Sequence, residues 1–134
     1  MCTGPTPCEK GWAKTLTASC PPATAKSVAA GMSVYRLVKA NPPTANDFTS
    51  PRERRPLPYQ FDVPECPARS VSLWDTEERI RAVLKVPLKR KSGMIARLVL
   101  GPHCGAIERR DDGHISWWAC KAFDPIAATV EVLT

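Results

Sequence analysis

Apolar and polar positions alternate along MSVYRLVK, residues 32–39, in a run rich in β-branched and aromatic side chains, the pattern of a strand. Successive strand side chains point to opposite faces, so Met32, Val34, Arg36 and Val38 share one side and Ser33, Tyr35, Leu37 and Lys39 the other. Asn41-Pro42-Pro43 ends the run. A second alternation, RSVSLW at 69–74, sets Ser70, Ser72 and Trp74 against Val71 and Leu73. The period then changes. Asp75 and Glu78 stand in capping-box spacing, and Ile80, Val83 and Leu84 fall at i, i+3 and i+4, which predicts a helix that ends near Lys85 ahead of Pro87. MIARLVL at 94–100 is the strongest strand pattern, stopped by Gly101-Pro102. AIERR, the turn Asp111-Asp112-Gly113 and HISWWAC read as a β-hairpin, with Asp-Gly supplying positive φ values. AATVEVL closes the chain as a last strand after a bend at Asp124-Pro125. Residues 24–31 read as a short helical turn closed by Gly31.

Between the first two strands lie 28 residues, 41–68, with seven prolines and no sustained period. Loops of this length in compact domains are lids, partner-binding segments or disordered. Phe48, Tyr59 and Phe61 argue for packing, so the loop is expected to lie across the domain. Prolines number 14 in the chain, about twice the usual share, and 11 of them fall in residues 1–67, which makes the first half loop-rich. At 134 residues the chain has room for one ordinary core. The expected architecture is a single α+β domain over 24–134, with a mixed or antiparallel sheet, one main helix and the long Pro-rich loop, preceded by an irregular lead-in at 1–23. No apolar run is long enough to span a bilayer.

The net charge of +6 is shared evenly: eight cations against five acids in 1–67, eleven against eight in 68–134. Two clusters stand out, Arg52, Arg54 and Arg55, then Lys89, Arg90 and Lys91. Neither has interleaved aromatics for base stacking, so both read first as solvated loop charge and only second as a nucleic-acid contact. The opening MCTGPTPCEKGW lacks the basic and apolar regions of an export signal, which points to a cytoplasmic chain. In that compartment Cys2, Cys8, Cys20, Cys66, Cys104 and Cys120 are expected as free thiols, with Cys104 and Cys120 packed as small apolar residues. There is no Cys-x-x-Cys, and no metal site is expected.

Arg36 sits on an apolar strand face, where a guanidinium must be paired or hold an anion. Ser70, Ser72 and Trp74 place two hydroxyls beside an indole. In HISWWAC, His114, Ser116 and Trp118 share a face, a polar-aromatic platform suited to a nucleobase or nicotinamide ring, while Trp117 takes the other side. No Ser-His-Asp order, phosphate-cradling glycine loop or His-Glu-x-x-His is present.

The order VYRLV, PPT and DF, SVSLW running into DTEERIRAVL, then GHISWW and TVEVL resembles ADP-ribosyltransferase-like or RES-like small domains, and uncharacterised small bacterial proteins with a similar opening and hairpin. The resemblance implies NAD as cofactor, with Arg36 on its phosphate or ribose and Ser72 or Ser70 on the nicotinamide ribose; joined to the hairpin platform, this makes Arg36, Ser70 and Trp118 the cofactor-binding candidates and Ser72 and His114 the catalytic ones. For the family's late carboxylate or its substitute, His114, Glu108 and Glu131 compete. The expected activity is ADP-ribosyl transfer or NAD cleavage. The alternatives are a non-enzymatic interaction factor, of the mobile-element inhibitor or immunity type, that uses 41–68 to hold a protein partner, and nucleic-acid binding.

Overall fold

The computed structural model describes residues 11–13, 16–28, 31–85 and 94–133. Its strands are β1 (Lys26–Ser27), β2 (Met32–Val38), β3 (Val71–Trp74), β4 (Met94–Leu100), β5 (Gly105–Arg109), β6 (His114–Ala119) and β7 (Thr129–Leu133). The helices are α1 (Pro51–Arg54), α2 (Glu65–Ala68), α3 (Glu77–Leu84) and α4 (Pro125–Ala128), with a 3-10 turn at Ala45–Phe48. All seven strands join one antiparallel sheet in the order β1-β5-β6-β3-β2-β4-β7. This is the α+β architecture anticipated from the pattern, with α3 as its main helix.

Four local expectations change. Residues 26–27 of the anticipated helical turn instead form a short strand against Ile107 and Ala106. The helix after β3 is capped by Thr76, whose hydroxyl accepts from the Arg79 amide, one residue later than the Asp75 box. Asp75 still belongs to the sheet: its amide donates to Gly113 O, and its carboxylate meets Arg109 at 3.1 Å. The β5–β6 hairpin turns through 111–113, with Arg110 N donating to His114 O and Gly113 N to Arg110 O. Only Gly113 there has positive φ, +88°, so the turn is a three-residue loop and not a two-residue Asp-Gly corner. The stretch 41–68 is not structureless: it carries the 3-10 turn, α1 and α2.

Paired positions across antiparallel strands share a face, so the registers sort the side chains. One face carries Val34, Val38, Val71, Leu73, Ala96, Leu98, Ile115 and Trp117, all buried in the main core with Phe48 of the 3-10 turn. The opposite face carries Tyr35, Ser72, Trp74, His114, Ser116, Trp118 and Glu108. There Trp118 is buried in a second cluster with Ala25 and Ala106, against Trp12, Leu16, Cys20 and Cys66. The two tryptophans do lie on opposite sides, but both are buried, and the expectation that one is free does not hold.

The cysteines also differ from the free thiols expected. Cys20 is disulfide-bonded to Cys66, tying the segment before β1 to α2, and Cys120 is disulfide-bonded as well. Cys104 is a buried free thiol, its pKa raised to about 11 by burial. Cys2, Cys8 and the cluster Lys89, Arg90 and Lys91 lie outside the described residues. Among the described residues no helix is long and apolar enough to cross a membrane.

Candidate functional site

Three strands, β5, β6 and β3, present two rows of polar side chains on one face. Glu108, Ser116 and Ser72 form one row, since Glu108 pairs with Ser116 and Ser116 with Ser72. Arg110, His114 and Trp74 form the next: His114 pairs with Trp74, and the Arg110 amide donates to His114 O. Period-two alternation produces the rows, and the hairpin at 111–113 brings β5 and β6 into line.

Within this patch Ser72 Oγ lies 2.6 Å from His114 Nε2. Arg110 Nη1 lies 2.9 Å from His114 Nδ1 and 3.0 Å from Ser116 Oγ. A guanidinium only donates, so Nδ1 must accept, and the neutral ring carries its proton on Nε2. His114 therefore donates to Ser72 Oγ. That polarity is the reverse of a serine nucleophile activated by a histidine base, and it leaves the Ser72 proton to point elsewhere. Burial lowers the His114 pKa, and the Arg110 charge lowers it further against a smaller raising effect of Asp112. The ring is thereby held neutral, and its amide is fixed by a 3.0 Å bond to Asp112 Oδ1. Trp74 stands edge-on to it at 5.2 Å between ring centres. Glu108 accepts from the Thr24 hydroxyl and lies 3.9 Å from Arg110 Nη2. Ser72, Trp74, His114 and Glu108 are all half-buried, so the face is reachable from solvent.

Of the anticipated site residues, Ser72 and His114 are brought together. Arg36 is not part of this group. It lies on the apolar face anticipated for it, between Val34 and Val38, with its side chain on the opposite side of the sheet from Ser72 and His114. Its Nε donates to Asp47 O at 2.7 Å, Nη1 to Ser72 O at 2.8 Å and Nη2 to Thr49 O at 3.2 Å. Desolvation by burial, then the charge of Arg54, lower its pKa to about 10, against raising effects of Asp47 and Glu53. Main-chain carbonyls hold this guanidinium where an ion-pair partner or a bound anion was expected. It ties 47–49 to β3, where β2 and β3 share one paired position, Tyr35 with Trp74. Ser70 is buried, its hydroxyl donating to Pro67 O at 2.7 Å. Trp118 donates Nε1 to Cys66 O at 3.0 Å and packs against Ala25 and Ala106 rather than beside His114; Trp74 holds the place beside His114 that Trp118 was expected to take. Of the competing carboxylates, Glu108 joins the patch, whereas Glu131 is on β7 at the far edge, paired with Arg97 at 2.8 Å.

Arg110 is the residue that sequence reasoning missed. Its signal was present in ERRDDGH, where a turn of three residues sets Arg110 opposite His114, but the turn length was not evident. Among the described residues no group of three or more His, Cys, Asp or Glu could hold a metal ion. No protein-family model, no curated protein and no solved structure matches this chain.

Proposed function

We propose that the β5–β6–β3 face binds an NAD-type dinucleotide and cleaves it or transfers its ADP-ribose unit. The observation that carries this reading is the gathering of Glu108, Ser72, Arg110 and His114 beside Trp74 on one half-buried face. In such a reaction the bond from ribose C1′ to the nicotinamide nitrogen breaks, and its electron pair leaves with nicotinamide. A new bond forms to water or an acceptor nucleophile, which gives up a proton. The carbon is cation-like at the transition state, and a carboxylate in the place of Glu108 stabilises that charge. The Ser72 hydroxyl and the His114 pair suit ribose hydroxyls, and the outward N–H groups of Arg110 suit the diphosphate. Calorimetric titration with NAD and an assay of nicotinamide release test the reading. Saturable binding is expected, with Glu108→Gln lowering turnover about 100-fold or more while binding persists. No heat at millimolar NAD, or full turnover by Glu108→Gln, would remove it.

A second reading, a protein partner held by 41–68, is favoured by Leu57, Tyr59 and Val63, which are 65%, 44% and 52% exposed beside the cations Arg54 and Arg55. Paired Leu57→Ser and Val63→Ser should abolish partner capture without changing the melting temperature; undiminished capture counts against it. Nucleic-acid binding has less support, because Arg52 is bound inside by Glu65 and Arg54 donates to Thr49 O. The disulfides favour an oxidising compartment over the cytoplasm.

A further inference from the structure

At the C-terminal end of β6 lies an apolar cavity of about 180 Å³. Its walls come from distant parts of the chain: Trp12 and Leu16, Phe48 of the 3-10 turn, Trp117 and Trp118 of β6, and Phe123. A concave, mainly apolar pocket that opens to solvent and is lined by aromatics has the form of a small-molecule site. The indole N–H groups of Trp117 and Trp118 are already engaged. Trp117 donates Nε1 to Cys104 O and Trp118 to Cys66 O, each at 3.0 Å. At the rim, Arg69 Nε is bound to Glu65 at 2.8 Å, and the Asp124 carboxylate accepts from Ile126 N at 2.9 Å. The lining is mainly aromatic and aliphatic, and its two charged rim residues, Arg69 and Asp124, are of opposite sign. Ala45 and Ile126, both exposed, stand at the mouth.

We infer that this cavity is a binding site for a small neutral aromatic molecule of one ring. The size fits: a dry apolar cavity of about 150 Å³ accommodates benzene. Edge-to-face partners are in place, since Trp117 and Phe123 already meet in that geometry at 5.7 Å. The site stands apart from the Ser72–His114 patch, and of the anticipated site residues only Trp118 lines it.

Three of the four tryptophans line the cavity, so their emission reports its occupancy. Titration of the full chain with toluene should change that emission saturably and raise the melting temperature by ~3 °C or more near saturation. Benzoate, of similar size but charged, should bind at least tenfold more weakly. Ile126→Phe, which narrows the mouth, should weaken toluene binding tenfold or more while the unliganded melt stays unchanged. If that variant does not fold, Ala45→Leu at the same mouth makes the decision. No saturable change up to the solubility of toluene, benzoate binding as tightly as toluene, or undiminished binding in the folded mouth variant overturns the inference.

Discussion

Arg36 shows how one side chain acts through the backbone of others. Burying a guanidinium is costly, and three carbonyl acceptors offset that cost while joining β2, β3 and the segment after Pro43. Arg36→Met should lose roughly 2–4 kcal/mol in urea unfolding, because the carbonyls are left unpaired in an apolar setting; a loss below about 0.5 kcal/mol, the level of an ordinary surface change, would refute the clamp. For His114 the test is spectroscopic. Nitrogen-15 shifts should show a protonated Nε2 and an unprotonated Nδ1, with His103→Gln used for assignment. Arg110→Met should populate the other tautomer and raise the His114 pKa, since it removes a donor and a cation together. An unchanged tautomer ratio would mean that Arg110 does not set it.

Among the elements, the β5–β6 ribbon depends most on backbone shape. Gly105 has φ +121°, and a Cβ there would stand 2.1 Å from Trp118 O, a main-chain atom that cannot turn aside. Gly31 has φ +60°, and among the described residues nothing lies within 4 Å of a Cβ there. Gly105→Ala should therefore cost clearly more than Gly31→Ala, about 3 kcal/mol or more against about 1, by denaturant midpoint. Equal losses would show that the close approach of β5 to β6 is unimportant. The stretch 41–68 is held by comparable specificity around Arg52. Its guanidinium makes two 2.6 Å bonds to Glu65, donates to Arg55 O and Tyr59 O, and lies 4.7 Å over the Phe61 ring. Prolines remove amide donors, so a stretch rich in them finds order through side-chain donors instead.

For the molecule as a whole, cross-links and charge set the conditions of stability. The Cys20–Cys66 bond closes a separation of 46 residues, which by chain entropy is worth about 4 kcal/mol. A Cys20→Ser, Cys66→Ser double variant should melt several degrees lower, and an unchanged melt would show that the link contributes nothing. Acid should act in two stages. His114 has a folded pKa below its ordinary 6.5, so the unfolded chain binds the proton more readily, and stability falls as pH drops through that value. Glu65, hydrogen-bonded by Arg52 and Arg69 against the cost of desolvation, has its pKa lowered from 4.5 to about 2. Its contribution is present above about 4.5 and is lost as pH falls towards about 2. Glu65→Gln should flatten the lower stage and leave the upper one, as read from urea midpoints between pH 3 and 8; an unaltered profile would place the acid sensitivity elsewhere.

Short-range periodicity sufficed for β2, β4 and α3, because strand alternation and helical stripes are written in neighbouring residues. It also placed Ser72 with Trp74 and His114 with Ser116, since residues two apart on a strand share a face. Which strands neighbour each other was not encoded that way. The adjacency of β3 to β6 brings Ser72 to His114 across 42 positions, and the sheet order decides that Glu108 and not Glu131 joins them. Arg36 was readable as a cation on an apolar face, yet its partners come from a proline-rich segment without any period. The fate of Trp118 and the pairing of Cys20 with Cys66 likewise depend on contacts between distant segments. Local sequence sets the direction of a side chain; what it meets follows from how the whole chain closes over its core.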